Sequence, residues 1–277
     1  MQNVKALVLY GFGLNCDHET KFAFEKAGAT GHRVHINDLK NIQLENYQIL
    51  AFSGGFSWGD DHGAGVLHAI RIITYLKEDI IRFLDNGKLI IGICNGFQVL
   101  VNMGLLPGID NYNSRSVALT YNECGNFRDD WVNLSVNSKS LCVFTKDMEM
   151  LELPIRHGEG KFFTDNNTAE KLIDNQQIVL QYANKDGKPA NNKFPYNPNG
   201  SLYDIAGICD KTGRVFGLMP HPEAFNHITN HPGWTRQFEI EKRMNLNHEN
   251  WFNSNNLTQG IKIFKNAVDY IQNNNVI

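Results

Sequence analysis

A cysteine set between glycines, Gly92-Ile93-Cys94-Asn95-Gly96, stands between an apolar run and a stretch with helical spacing. Strand, sharp turn and helix in that order make a nucleophile elbow, with cysteine where hydrolases more often carry serine. Such a turn strains the nucleophile's backbone, needs small neighbours, and stands the side chain at the carboxyl edge of a sheet. At the start of the following helix, the Asn95 N–H and the positive end of the helix dipole favour a thiolate and any oxyanion beside it. A buried structural cysteine in a glycine-rich turn would give the same pentapeptide, so the chemistry requires a base elsewhere in the chain.

Pro220-His221-Pro222-Glu223 supplies one, directly after an apolar run at Val215–Met219. In an extended segment residues i and i+2 face the same way, so His221 and Glu223 share a side. Glu223 can accept a hydrogen bond from one imidazole nitrogen, fixing the tautomer and leaving the other nitrogen for a thiol. His-x-Glu is common by chance; its weight here comes from its place at a strand end, as for Cys94. Rival motifs are incomplete. His221-x-Glu223 is half of a zinc deaminase signature, but no cysteine follows Cys209. His227 and His231 lack the glutamate of a zinc protease helix and are expected to cap or pack. Gly11-Phe12-Gly13 opens a dinucleotide fingerprint that fails at Cys16. No Walker A sequence, nucleotide site or metal-ligand set is read in the chain.

The elements that must position these residues alternate through the first half. Val4–Tyr10, Gln48–Ser53 and Lys88–Ile93 read as buried strands. Helices are expected from an N-cap at Asp17 to about Ala27, over His62–Leu84 and over Phe97–Met103. Repeated strand-turn-helix units imply a parallel sheet covered on both faces. The second half offers short strands at Val117–Leu119, Trp131–Val136, Ile178–Tyr182, Ile205–Cys209 and Val215–Met219, with turn chemistry between them. Residues 184–203, with three prolines and five asparagines, read as a long ordered surface loop. Leu257–Ile271 reads as an amphipathic helix docked on the core. Without repeats or linker composition, residues 1–277 are expected to form one α/β domain.

Composition bounds the partners. The 277 residues are 42% apolar and 20% charged, with a formal charge of -3. That gives no electrostatic footprint for nucleic acid or an anionic membrane. The most apolar stretch, Leu89–Leu106, is interrupted by Asn95, Gln98 and Asn102, so no bilayer span is expected. The N-terminus lacks an export signal. Five widely spaced cysteines, at 16, 94, 124, 142 and 209, argue for reduced thiols and a cytoplasmic location.

With Cys94, His221 and Glu223 in that order, the chain resembles class I glutamine amidotransferases. More narrowly, it resembles the branch of glutaminase subunits of phosphoribosylformylglycinamidine synthases of de novo purine synthesis. The stretches that carry the resemblance include Asn15-Cys16-Asp17, residues 54–60 (Gly-Gly-Phe-Ser-Trp-Gly-Asp) and 92–100 (Gly-Ile-Cys-Asn-Gly-Phe-Gln-Val-Leu). They continue with residues 104–108, His157-Gly158-Glu159-Gly160, residues 199–201, residues 204–207 and Met219-Pro220-His221-Pro222-Glu223. Together they span most of residues 1–225 in family order. Departures are Ser53, where the family commonly has proline, the acids of Asn126–Val132, and the length of residues 184–203 and 234–256.

The resemblance implies a flavodoxin-like fold: a central, mostly parallel sheet with helices on both faces and an added antiparallel region; beyond the family's compact form, residues 234–277 are expected to form a C-terminal helical extension. It implies Cys94 as nucleophile, His221 as general base and acid, and Glu223 as the group that orients it. It places the oxyanion hole on the backbone N–H groups of Gly55 and Asn95, Gln98 in the glutamine pocket, and His157 with the Gly158-Glu159 backbone near the substrate's α-carboxylate. No cofactor is implied in this chain. ATP and Mg2+ belong to a partner synthetase subunit, with a small accessory subunit as a further partner. The alternatives are a stand-alone cysteine hydrolase or glutaminase, an amidotransferase subunit serving another synthetase, and a non-catalytic binding subunit.

Overall fold

A computed structural model describes residues 3–112, 114–244, 251–252 and 257–277. The stretches 245–250 and 253–256 of the expected C-terminal extension lie outside the described residues. The first half runs β1 (Lys5–Tyr10), α1 (Asp17–Lys26), β2 (Thr30–His35), β3 (Ile49–Phe52), α2 (Val66–Asp85), β4 (Leu89–Ile93) and α3 (Asn95–Asn102). The second adds β5 (Val117–Tyr121), β6 (Arg128–Val136), β7 (Met150–His157), β8 (Glu159–Thr164), α4 (Asn166–Asp174), β9 (Ile178–Ala183), β10 (Ile205–Cys209), β11 (Val215–Leu218), α5 (Trp234–Arg243) and α6 (Gln259–Asn273).

Nine strands form one sheet in the order β2-β1-β3-β4-β11-β10-β9-β6-β7, and β5 pairs with β8 apart from it. From β2 to β11 every pairing is parallel. From β11 to β7 every pairing is antiparallel, which is the added region. The chain leaves β1 toward β2 and later moves from β3 toward β4, in the opposite direction across the sheet. Right-handed crossovers then put α1 and α2 on opposite faces. β3 and β4 are buried at every residue, as strands covered on both sides must be. On one face Phe24 of α1 meets Phe264 of α6 edge-on, ring centroids 4.8 Å apart, burying the apolar stripe expected of the C-terminal helix.

Several elements differ from the sequence expectation. Asp17 does not cap α1: Cys16 holds the N-cap position without a side-chain bond, and Asp17 pairs with Arg33 of β2. α2 begins at Val66 rather than His62, because Gly63 and Gly65 take φ of 101° and 74°, outside the helical region. α3 begins at Asn95, directly at the elbow. Strands β2, β7 and β8 and helix α4 were not read from sequence, while α5 and α6 lie in the stretch read as a helical extension. The loop over 184–203 is tied at one point: the Asp204 carboxylate accepts from the Asn191 and Asn192 N–H groups (2.7 and 2.8 Å) and from Asn197 Nδ2 (2.8 Å). No helix among the described residues is long and apolar enough to cross a membrane.

Candidate active site

Parallel pairing of β4 with β11 is what joins the two motifs. Ile93, the last residue of β4, is in register with Leu218, the last of β11. The Cys94 N–H donates to the Leu218 carbonyl at 2.8 Å. Both chains then leave the sheet at the same carboxyl edge, one into α3 and the other into Met219-Pro220-His221. β3 lies on the other side of β4, with Phe52 opposite Gly92, so Gly54-Gly55 emerges beside the same edge. Ligands of open α/β sheets bind outside the carboxyl ends of the strands, and this edge is where the sequence-predicted residues converge.

The elbow has the geometry its sequence requires. Cys94 has φ 52° and ψ −106°, a strained conformation for a residue with a side chain. A Cβ on Gly96 would be driven into the Phe52 carbonyl, and one on Gly92 would come within 2.6 Å of the Gly96 oxygen. The glycines let the helix start press against the sheet. Asn95, first residue of α3, has one of the N–H groups that a helix leaves unpaired. Gly55 has φ 138° and bridges Leu14. That bridge is made by its neighbours, Phe56 N–H to Gly13 O (2.9 Å) and Asn15 N–H to Gly54 O (3.3 Å). The Gly55 N–H therefore faces away from residues 13–15, as at any non-hydrogen-bonded antiparallel pair.

His221 is fixed at both ends. Its backbone N–H donates to Pro154 O (2.8 Å), and its ring Nδ1 is 2.6 Å from Glu223 Oε1, both side chains buried. Glu223 accepts only if Nδ1 carries the proton, which leaves Nε2 bare; that atom is buried with no hydrogen-bond partner. Burial pushes the imidazole down, but the charges of Glu223 and then Cys94 outweigh it and hold the ring well above the usual histidine value. The Cys94 Sγ also lies 3.7 Å from the Arg156 carbonyl. A thiol, an imidazole with one free nitrogen and a carboxylate that orients it can run nucleophilic acyl transfer.

A cavity of about 250 Å³ opens on Cys94 and is lined by Gly55, Gln98, His157 and Gly158 among others. Each of these was singled out from the sequence. Gln98 is held rather than free: its Nε2 donates to the Glu159 carbonyl (2.6 Å), and its Oε1 accepts from Asn95 Nδ2 (3.1 Å). His157 Nδ1 faces Asn122 Oδ1 at 3.0 Å. His227 caps its own turn, accepting from the Thr229 N–H, and His231 packs edge-on against Trp131 with centroids 4.8 Å apart.

Three side chains at the site, of Cys16, Asp60 and Glu159, carried no role from sequence, although each lies in a stretch that bears the resemblance and the Glu159 backbone was assigned one. Asp60 and Glu159 are among the residues that line the cavity. The Cys16 Sγ sits 3.8 Å from His221 Nδ1, and its S–H donates to Asn15 Oδ1 (3.2 Å). Burial first, then the Glu223 and Cys94 charges, push this thiol up, against a hydrogen bond with His221. Among the described residues, Cys16, His221 and Glu223 are also a set whose donor atoms lie within 4.8 Å of one another. The Nδ1 lone pair, however, is committed to the proton shared with Glu223.

Residues 3–271 match the family described as the CobB/CobQ-like glutamine amidotransferase domain. The chain is 48% identical over 270 residues to "Phosphoribosylformylglycinamidine synthase subunit PurQ" of Methanococcus maripaludis, covering 96% of this chain and 97% of that protein. It is 45% identical over 272 residues to the protein of the same name from Dehalococcoides mccartyi, covering 98% of each. Among solved structures it resembles a chain of PurLQS from Thermotoga maritima, with a TM-score of 0.65 and 28% identity over 98% of this chain and 100% of that one.

Proposed function

We propose, from the premise that the chain belongs to the CobB/CobQ-like glutamine amidotransferase family, that it is the glutaminase subunit of a phosphoribosylformylglycinamidine synthase. Its relatives of that name match it nearly end to end. The observation that carries the chemistry is the buried His221–Glu223 pair, which leaves one imidazole nitrogen bare beside Cys94.

In this reading the Cys94 thiolate attacks the side-chain amide carbon of glutamine. The N–H groups of Gly55 and Asn95 take the oxyanion, each donor worth about 3–4 kcal/mol of barrier. His221 gives its proton to the departing nitrogen, ammonia leaves, and a glutamyl thioester remains on Cys94. Water, deprotonated by His221, then hydrolyses the thioester to glutamate and restores the thiol. The ammonia passes to a synthetase subunit of the PurL kind, where ATP and Mg2+ drive its use. The five free thiols support a reducing compartment, the cytoplasm. A single apolar cluster shared by both halves supports reading the chain as one domain.

The test is Cys94→Ala in the assembled complex. Glutamine-dependent synthesis should fall to background while synthesis from added ammonium continues. Loss of the ammonium-driven reaction as well would mean that Cys94 is structural, and retained glutamine dependence would mean that another group is the nucleophile.

A further inference from the structure

Cys16 takes no part in the acyl-transfer chemistry, yet its thiol belongs to a cluster. Its Sγ lies 3.8 Å from His221 Nδ1, and that nitrogen lies 2.6 Å from Glu223 Oε1. Donor atoms of the three residues all fall within 4.8 Å of one another. Thiolate, imidazole and carboxylate are the ligand types that zinc takes, at about 2.3, 2.0–2.1 and 2.0–2.2 Å. Tetrahedral geometry at those lengths sets sulfur and nitrogen about 3.6 Å apart, close to the spacing of Cys16 and His221. The nitrogen and oxygen, now drawn together by a shared proton, would have to widen to about 3.4 Å.

Two further observations point to a ligand here. Glu223 Oε2 is buried and, among the described residues, has no hydrogen-bond partner, so the carboxylate keeps an unused oxygen. A second cavity, of about 260 Å³, opens on this side of the imidazole. Asn15, Cys16, Glu19, Arg156 and His221 are among its lining residues, and Cys94 is not. It gives a route to Cys16 and Nδ1 that bypasses the nucleophile, and room for water as a fourth ligand. The Arg156 guanidinium opposes a cation there, but it faces the Asp129 carboxylate at 3.9 Å. Coordination displaces two protons to solvent, one from the Cys16 thiol and one from Nδ1. One thiolate and one carboxylate then cancel the charge of Zn2+, which removes the main cost of holding the ion in a buried place.

We propose that Cys16 Sγ, His221 Nδ1 and Glu223 form an inhibitory zinc site, which disables the base without touching the nucleophile. The inhibition rests on the glutaminase reading above; the binding does not. A neutral imidazole carries one proton, and a metal on Nδ1 forces that proton onto Nε2. Nε2 then meets Cys94 as a donor, and it can take a proton neither from the thiol nor from water. Zinc thus imposes the tautomer opposite to the one that Glu223 selects.

The test separates binding from inhibition. Binding is read on the full chain with Co2+, whose bond to a thiolate gives a charge-transfer absorption band. The band should form in Cys94→Ala and be lost in Cys16→Ser, a change that suits the helix N-cap which Cys16 occupies. In Cys94→Ala, Zn2+ should also slow alkylation of the peptide that carries Cys16, a measurement that stands even if Cys16→Ser fails to fold. Inhibition is read as glutamate release by the complex, each protein relative to its own rate without zinc, with reversal by a chelator. Even outer-shell partners of a metal are typically worth roughly 10- to 100-fold in affinity, so Cys16→Ser should raise the half-inhibiting zinc concentration by at least about 10-fold. A band lost in Cys94→Ala, alkylation of Cys16 indifferent to zinc, or equal inhibition of Cys16→Ser would overturn the assignment. A complex that releases no glutamate without zinc would overturn the glutaminase reading instead, and the cobalt band would still decide the site.

Discussion

Glu223 acts through His221, and the two opposed influences on that imidazole make its removal informative. Burial works against the imidazolium, and the Glu223 carboxylate is the first of the groups that reverse it. Glu223→Gln keeps a hydrogen-bond acceptor but removes the charge, so burial then prevails and the ring's affinity for a proton falls. Because the folded-state value in the wild type is raised above 6.5, the pair's contribution to stability is fully present below that pH. It is lost as pH rises through the raised value. The variant should lose that pH-dependent stability, read by denaturant unfolding at several pH values, and roughly 10²–10⁴-fold of glutaminase rate. An unchanged rate would mean that Glu223 does not orient the base. At this scale the sequence disclosed the triad residues but not what surrounds them. The side chains of Cys16, Asp60 and Glu159 were visible only as members of familiar stretches. Their roles depend on which side chains meet across strands, and spacing along the chain does not encode that.

Elements decide whether the triad can assemble, and the elbow is the one with least tolerance. Gly96 sits where α3 meets the end of β3, and a methyl group there collides with the Phe52 carbonyl, a backbone atom with no rotamer to change. Gly96→Ala should cost about 1–3 kcal/mol of stability, the range for overpacking a filled site, and displace Cys94 from its strained φ, lowering activity further than the stability loss explains. Thermal unfolding and kinetics on the same preparation check this, and a variant of native stability would show that the elbow yields. The buried strands β1, β3, β4, β10 and β11 were legible because burial on both faces demands unbroken apolar runs. β2 and β7 were not. They are the two edges of the nine-stranded sheet, paired on one side only, and edges admit residues that interrupt the pattern. β2 reads Thr-Gly-His-Arg-Val-His, and β7 carries Pro154 in its interior, a residue confined to edge strands because it cannot donate to a ladder. α5 buries none of its residues, so no apolar period marked its bounds within the expected extension.

Across the whole molecule, one parallel sheet edge gathers groups that are more than a hundred positions apart in sequence. Two thiols, Cys94 and Cys16, flank the same imidazole there, and each stands at the N-cap of a helix, but only Cys94 stands at a strained elbow, with φ 52° against −102° at Cys16. Cys142 and Cys209 are buried. Cys124 is half-buried, and a backbone hydrogen bond with Asn126, together with Arg128, holds it below the usual thiol value against slight burial. It should answer to general alkylating agents, but among the described residues no histidine is hydrogen-bonded to it. The measurement that bears most directly on the account is peptide mapping of the full chain, in its complex, after treatment with a glutamine-like electrophile. The account predicts one adduct, on the peptide that carries Cys94, and its suppression by glutamine. An adduct on Cys16 or another thiol, or labelling indifferent to glutamine, would contradict it.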